Sequence, residues 1–342
     1  MKKSTHPLTA RNVLGLTLAM GLLLGCVMAG SLGLGTADLS VTEILGRLAG
    51  RGAGEDSVGL ILFRIRLPRI LLAAVAGFSL SLGGVAFQAI LRNPLADPFI
   101  LGVSSGGAFG AVLGILMGFG FSVGVPVMAF GGSLLTLGLL MALGTRRMGM
   151  ESATVLLTGV IINAFFTAVI MFFITTTTDS RLHSMLFWLY GDLGQSRYSH
   201  LVVSGPLALG GCAVLYAFSR HLNLITAGEE AARQVGVEVR RTKLVCLITV
   251  SLLVGLVVSF SGLIGFVGLI VPHLARMVFG ADHRVLIPTA AFGGAAFLVA
   301  ADTLARVLIS PSELPVGVIT AFLGAPFFIY LLKTRGSRWG RS

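Results

Sequence analysis

The chain has 342 residues, of which 55% are hydrophobic and 11% are charged, and its formal net charge is +11. Soluble domains carry roughly 25% charged residues and disordered chains have low hydrophobicity, so the composition excludes both classes and indicates a polytopic membrane protein. The basic residues stand in short gaps between apolar runs, which is typical of membrane topology signals and argues against nucleic-acid binding.

The sequence predicts ten membrane crossings, because a helix needs about 20 apolar residues to cross about 30 Å of hydrocarbon. The first apolar stretch is longer than the ~7–15 residues of a signal-peptide core, so it is interpreted as a span. In chain order the predicted spans cover residues 12–37, 70–91, two crossings within 98–145 that turn near 118–126, then 152–178, 198–219, 244–261, 262–275, 285–301 and 314–332. We therefore expect an all-α protein with a single transmembrane domain, residues 1–342, and both termini on one side of the membrane.

The lysine and arginine residues set the orientation of these crossings. With the N-terminus inside, 17 of the 25 basic residues lie on inside segments, which favours cytoplasmic termini at residues 1–11 and 334–342. Five of the other eight stand in one predicted outside loop: Arg47, Arg51, Arg64, Arg66 and Arg69. This excess breaks the positive-inside rule, and both headgroup contact and docking of an acidic external partner would account for it.

Two membrane segments are interrupted by glycine and proline. One reads RNPLADPFILG at residues 92–102, and the other reads SGLIGFVGLIVPH at residues 261–273. Each follows a long span, one running inward and the other outward, and such paired broken segments predict inverted repeats around a translocation path. The candidate residues for this path are Asn93, Pro94, Gly102, Gly106, Gly262, Gly265 and Pro272. Gly106 also begins a four-residue repeat of glycine through Gly118, which predicts close packing against another helix.

The longest inside loop, residues 220–243, has five basic and three acidic residues in amphipathic spacing. Within it, the sequence GEEAARQVGV predicts a short helix that ends at Gly236. A solvated loop with paired charges and a docking element for a soluble partner both fit this pattern, and loop length does not separate them.

The absence of certain motifs indicates where the energy comes from. The chain has four lysines, none of which follows a glycine as a P-loop requires: Lys2, Lys3, Lys243 and Lys333. It therefore cannot hydrolyse ATP by that motif. Only His200 and Asp302 come near the predicted spans as ionisable residues, both at span ends, which disfavours an ion-coupled secondary transporter. We expect the energy to come from outside the chain.

Other functional classes find little support. Residues 102–106 match the GxSxG nucleophile elbow, but an elbow follows a strand and these residues stand in an apolar helix, so an intramembrane enzyme is disfavoured. The three cysteines lie inside apolar runs without a CxxC pair, so neither a zinc site nor a disulfide framework is expected. A non-transporting scaffold or receptor would leave the two broken segments without a function.

Several long motifs, in order along the chain, resemble the FecCD family, the permeases of bacterial ABC importers for iron-siderophores, haem and vitamin B12. The resemblance covers roughly residues 12–334. The motifs that carry it read RLPRILLAAVAGFSLSLGGVAFQAILRNPLADPFILGVSSGG, GEEAARQVGV, SGLIGFVGLIVPHLAR and ELPVGVITAFLGAPFFIYLL.

The resemblance implies a fold, an assembly and a cargo class. The fold is the type II ABC importer permease, with ten helices per subunit and opposed four-helix repeats. The permease forms a homodimer around a central path in the bacterial inner membrane, with two cytoplasmic ATPase subunits and a periplasmic substrate-binding protein. ATP and magnesium sit on the ATPase, so this chain is no enzyme and holds no cofactor or metal. The breadth of the family favours an iron(III)-siderophore as the cargo. Vitamin B12 and haem are the alternatives, and His183 or His200 could be proposed as a haem contact.

The resemblance also implies roles for residues outside the path. The inside loop would dock on the ATPase through the signal residues Glu229, Glu230, Ala231, Ala232 and Gly236. Arginines at the outer rim of a vitamin B12-carrying member pair with glutamates of its binding protein, and the matching positions are Arg66, Arg69 and Arg306. This pairing would explain the excess of outside arginine.

Overall fold

A computed structural model describes residues 10–35, 46–47, 57–144 and 152–339. The regular structure in these ranges is helical throughout. The helices are α1 (Ala10–Gly33), α2 (Ser57–Ile90), α3 (Val103–Leu116), α4 (Gly124–Gly144), α5 (Ser152–Thr176), α6 (Arg181–Leu189), α7 (Tyr198–Ala217), α8 (Ser219–Ala227), α9 (Glu229–Gln234), α10 (Val239–Ser261), α11 (Val267–Phe279), α12 (His283–Val307) and α13 (Val316–Trp339). Residues 1–9 and 340–342 of the predicted cytoplasmic termini, and Arg51, lie outside the described residues.

The helices match the ten predicted spans in order. Seven of the described helices are long and apolar enough to cross a membrane: α1, α2, α4, α5, α7, α10 and α12. The shorter apolar helices α3, α11 and α13 supply the other three spans. With 14 and 13 residues, α3 and α11 are each only about 20 Å long, less than the ~30 Å hydrocarbon core. The broken segments that precede them complete these two crossings, as the sequence predicts.

One predicted boundary was wrong because a charged residue was taken as the end of the span. Helix α2 begins at Ser57 rather than near residue 70, so Arg64, Arg66 and Arg69 stand on a helix and not in a loop. Its 34 residues measure about 51 Å, well beyond the hydrocarbon thickness, and residues Ile61–Arg66 adopt π-helical geometry. The 17 uncharged residues 285–301 form a span only if the helix extends slightly, and α12 does continue past residue 301 to Val307.

Helix α2 lies at the centre of the bundle, and most of its apolar window is buried. It packs against α12, α10, α11 and α7. Close approach to α12 requires glycine on both sides, because a Cβ at Gly77 would lie 2.1 Å from the carbonyl oxygen of Gly294. Since lipid tails are as apolar as leucine, such close backbone packing rather than hydrophobicity holds membrane helices together.

The predicted glycine stripe is confirmed as a packing surface within the chain. Gly106, Gly110 and Gly114 face α4, and a Cβ at Gly110 would lie 2.1 Å from the carbonyl oxygen of Met128. Gly118, the fourth member, does not pack there: it follows the end of α3 with a φ of +77°. Three of the four glycines in the stripe therefore pack α3 against α4.

Candidate functional site

The first broken segment connects α2 to α3 through a series of local caps. The side chain of Asn93 accepts a hydrogen bond from the backbone N–H of Leu95 (2.9 Å), which forms an Asx turn ahead of Pro94. The Asp97 carboxylate accepts one from Phe99 N–H (2.8 Å) and begins a 3-10 turn that ends at Gly102, where φ is +79°. Asn93 and Pro94 are exposed, so this segment offers polar groups at the end of the central helix.

The second broken segment connects α10 to α11. Gly262 has a φ of +67°, and a Cβ there would lie 2.2 Å from the carbonyl oxygen of Trp188, so only glycine fits between α10 and α6. Gly265 has open space around it, and Pro272 is buried inside α11. Phe266 ends the segment with a φ of +69°.

The two broken segments meet at the C-terminal half of α2. A Cβ at Gly268 would lie 3.0 Å from Cδ of Pro98 and 2.8 Å from the carbonyl oxygen of Leu80. Among the described residues, Arg92 and Phe266 are the two non-glycine residues with a positive φ, and each belongs to one broken segment. Non-regular backbone at this depth is tolerated where protein surrounds it, and here each segment is packed against the other and against α2.

The predicted path residues do not all share one environment. Gly102 lies against α5 near Gly159, whereas Gly106 packs between α3 and α4 against Gly132. Gly262 lies at the junction of α6 and α10, and Gly317 at the start of α13 packs beside it. The path role of these residues stays a prediction, since their positions alone do not identify a route.

Helix α6 was missed by the sequence reasoning, which treated residues 179–197 as a loop. Its nine residues are too few for a span, but Met185 and Trp188 are buried on one face. The backbone N–H groups of Val316 and Gly317 donate to the carbonyls of Gly191 and Tyr190, 3.0 and 3.1 Å away, so α6 positions the start of α13. The available signal was the helical spacing of apolar residues, with Leu182, Met185 and Trp188 each three positions apart.

The segment of residues 220–243, termed the coupling segment, folds as two short helices and a turn. The predicted helix end is confirmed: Gly236 has a φ of +86°, and its N–H donates to Arg233 while Val237 N–H donates to Ala232. This pair of bonds is the Schellman arrangement that ends a helix at glycine. Ala232 and Val237 are buried beneath α9 in a small apolar cluster, which leaves Glu230 and Ala231 on the exposed side.

An ion pair joins the coupling segment to the membrane bundle. Lys243, at the base of α10, is 2% exposed, and its Nζ donates to Glu229 Oε1 of α9 at 2.5 Å. Because removing one member of a buried pair leaves a costly charge, this contact holds α9 in a fixed position on α10. Helix α10 in turn packs against α2 and α4. The sequence reasoning had placed Lys243 in the loop and found no partner for it.

The opposite end of the bundle holds a group of five charged residues, the outer charge cluster: Arg66, Arg69, Asp302, Arg306 and Glu313. Arg69 donates from Nε to Asp302 (2.9 Å) and from Nη1 to Glu313 (2.6 Å), and Arg306 donates to the same Asp302 at 3.2 Å. Asp302 is fully buried, so it is neutralised by two guanidinium groups rather than by water.

The outer charge cluster also fastens α1. Arg306 Nη2 donates to the hydroxyl of Ser31 (2.7 Å), and Arg66 Nη1 donates to the carbonyl of Leu32 (2.7 Å). The three arginines predicted to dock a partner are thus buried, between 4% and 6% exposed. Beside the cluster, the exposed residues Arg64 and Arg197 line a cleft of about 400 Å³. The docking role of the buried arginines stays a prediction.

The histidines differ in environment. His183 is exposed, and its ring lies beside that of Phe187. His200 is buried and stacks on Phe260 with ring centroids 4.5 Å apart. His273 is buried inside α11, so the expectation that only His200 and Asp302 come near the spans was incomplete. No group of three histidine, cysteine or acidic side chains able to hold a metal ion is found in the part of the chain that the structure describes.

Comparison with known proteins gives consistent matches over nearly the whole chain. The family model described as the FecCD transport family matches residues 22–334. The cobalamin import system permease protein of Halobacterium salinarum is 45% identical over 83% of this chain and 76% of its own length. The hemin transport system permease protein of Yersinia pestis is 42% identical over 90% of this chain and 94% of its own. A solved inward-facing structure of a metal-chelate type ABC transporter matches with a TM-score of 0.83 and 34% identity, covering 94% of this chain and 99% of that one.

Proposed function

Because the chain belongs to the FecCD transport family and is a permease subunit of an ABC importer, we propose that it moves an iron(III)-siderophore-type chelate across the bacterial inner membrane. The observation that carries this proposal is the coupling segment, a short helix with one exposed face that an ion pair fixes to a membrane helix. Such an element fits a soluble partner that supplies mechanical work. The coupling segment then faces the cytoplasm, as do both termini.

The assembly that we propose has two copies of this chain around a central path, two ATPase subunits at the coupling segments and a periplasmic binding protein at the opposite end. ATP and magnesium would be held by the ATPase subunits, and this chain would hydrolyse nothing. ATP binding closes the ATPase pair, and α9 passes the motion through Glu229 and Lys243 to α10. The two permease subunits then rock, so that the path opens to one side at a time.

The cargo is proposed as a bulky chelate because the described spans carry few charged side chains away from their ends. A path without a charged wall lets a large chelate pass without a tight site in the permease, so selectivity would lie mostly in the binding protein. The named relatives transport cobalamin and hemin at similar identity, 45% and 42%, and identity alone therefore does not separate the three cargoes. Vitamin B12 and haem stay the alternatives.

Uptake into proteoliposomes tests this proposal. The chain is reconstituted with its ATPase and binding protein, and labelled ferric siderophore, cobalamin and haem are offered with and without ATP on the side of the ATPase. We expect ATP-dependent uptake of the ferric siderophore above the other two. ATP-dependent uptake of cobalamin or haem would replace the cargo but keep the importer, whereas uptake without ATP would favour the ion-coupled carrier.

We propose further that the binding protein docks at the outer charge cluster through Arg66, Arg69 and Arg306. Three arginines face two carboxylates there, so the cluster keeps a net positive charge that an acidic partner can neutralise. The exposed Arg64 and Arg197 beside it would meet that partner first. Measuring the association rate at two salt concentrations tests this, because steering by such charges weakens as salt rises.

A further inference from the structure

At the coupling end, four helices border an open cavity of about 300 Å³ that no transport role explains. It lies where α2 and α11 end, where α12 begins, and beside α8 of the coupling segment. Its polar lining consists of Gln88, Arg92, Thr226, Arg276 and His283. We propose that this cavity binds a phosphate-bearing anion, either the phosphate of a lipid headgroup or free phosphate.

The charge of the cavity is positive and uncompensated. Two guanidinium groups line it, those of Arg92 and Arg276, and neither forms an ion pair with any residue that the structure describes. Arg276 is only partly exposed, so its charge is costly without a counter-ion. An anion that accepts hydrogen bonds from both guanidinium groups would remove this cost, and arginine binds phosphate in a bidentate manner.

The nearest carboxylate cannot serve as that counter-ion because it is already engaged. Asp282 accepts from Arg284 Nη2 at 2.6 Å and from Asn223 Nδ2 at 2.9 Å. These bonds, that of Arg284 foremost, hold the pKa of Asp282 well below its usual range, so the carboxylate stays ionised. Asp282 and Arg284 therefore neutralise each other outside the cavity and leave Arg276 without an ion-pair partner among the residues that the structure describes.

The orientation of His283 gives a second, independent sign of a missing ligand. Asn223 Oδ1 accepts from the backbone N–H of His283 (2.9 Å) and lies 2.6 Å from its Nδ1. Since Asn223 uses its Nδ2 group on Asp282, the Oδ1 atom is the acceptor and His283 Nδ1 carries the proton. The other ring nitrogen, Nε2, is buried with no hydrogen-bond partner among the described residues, in a side chain that is 2% exposed.

Gln88 has the same deficit on the opposite wall. Its Oε1 is buried without a partner among the residues described, and its Nε2 reaches only the carbonyl of Gly268 at 3.4 Å. Buried polar groups in native proteins are nearly always satisfied by protein, water or ligand. A hydrated phosphate group fits the available room, which equals roughly ten water molecules. His283 Nε2 and Gln88 Oε1 are both acceptors, so a water molecule of the hydration shell would donate one hydrogen to the phosphate and the other to one of these atoms.

The position of the cavity at the ends of membrane helices favours phosphate over other anions. The ends of membrane helices lie at the headgroup level, and basic pockets between such helices bind lipid phosphates. Occupation would join α8 of the coupling segment to the ends of α2 and α11. The ligand would thus stabilise the contact between coupling segment and bundle that Lys243 and Glu229 make from the other side.

Native mass spectrometry of the full-length chain in detergent tests the proposal. The probes are phosphatidylglycerol, phosphatidylcholine and inorganic phosphate, and the variants are Arg276→Gln, Arg92→Gln and the control Arg240→Gln, an exposed arginine at the same end. We expect either variant in the cavity to weaken binding of the phosphate-bearing probe about tenfold, as for the loss of a charge-assisted hydrogen bond. The control is expected to bind like the unmodified chain.

The arms of this experiment distinguish the two sources of phosphate. Retention of phosphatidylglycerol that inorganic phosphate does not displace identifies a lipid headgroup, and displacement identifies free phosphate. Thermal unfolding of Arg276→Gln without any anion provides a check on folding, because removal of the uncompensated charge should leave or raise the stability. The proposal is overturned if the cavity variants and the control bind alike, or if the unmodified chain retains none of the three probes.

Discussion

The two ends of the bundle bury their charges in different ways. At the outer end, Asp302 is held by Arg69 and Arg306 from two helices, and the network extends to α1 and to Glu313. At the coupling end, the bridge between Lys243 and Glu229 joins α9 to α10, and Arg276 has no counter-ion in the described chain. The outer end thus shares one buried acid between two helices, whereas at the coupling end the ion pair between α9 and α10 lies where a partner can act upon it.

The largest effect is expected from Asp302→Asn. It removes the only carboxylate between two buried guanidinium groups in the described outer end and should destabilise the fold by about 3–5 kcal/mol. Thermal unfolding in detergent measures it. The matched control is Glu313→Gln, whose side chain is 40% exposed, and it should cost about 1 kcal/mol or less. Equal losses for both variants would contradict the picture of one shared buried acid.

The next effect concerns the bridge between α9 and α10. Lys243→Gln removes the charge that holds Glu229, so the amide protons of α9 should exchange about tenfold faster while those of α12 keep their protection. Hydrogen exchange read by mass spectrometry on the full chain measures this. A double variant with the charges reversed, Glu229→Lys with Lys243→Glu, should recover part of the protection, and no recovery would argue against the bridge.

A smaller effect is expected at the end of α9. Gly236 has a φ of +86° with open space around it, so Gly236→Ala carries only the conformational cost of about 1–2 kcal/mol. The exposed face of α9 should then bind the ATPase severalfold less tightly in a binding assay. Gly236→Asn is the control, because asparagine tolerates this conformation, and it should bind nearly as well.

The smallest effect is expected at the outer surface. Arg64→Gln removes an exposed charge beside the outer charge cluster and should slow association of the binding protein a few-fold at low salt, with little change in stability. Stopped-flow association rates at low and high salt measure this. An unchanged rate at low salt would place the docking surface elsewhere.

The sequence predicted the number and order of the spans because hydrophobicity over about 20 residues is a local signal. It could not predict where α2 begins, because the charge of Arg69 was taken as the end of the span. The residues that neutralise this charge, Asp302 and Glu313, lie 233 and 244 positions away in the sequence. One signal was available and unused: Asp302 and Arg306 stand four residues apart, a spacing that favours an ion pair on one helix face.

The candidate site was predicted unevenly for similar reasons. The end of α9 at Gly236 was predicted because a glycine that closes a helix is a local pattern. The bridge between Glu229 and Lys243 was not, because the two residues are 14 positions apart in the sequence and only the packing of α9 on α10 brings them together. The residues that line the cavity at the coupling end come from four helices, so no single stretch of sequence contains all of them.

The most direct test compares one variant from each end in the same vesicles. Cargo uptake and ATP hydrolysis are measured together for the complete transporter with Glu229→Gln or Glu313→Gln in this chain. If the coupling segment transmits the work of ATP, the first variant should lower the cargo moved per ATP about tenfold, and the second should leave this ratio unchanged. An unchanged ratio in the Glu229 variant, or an equal loss in both, would contradict the account.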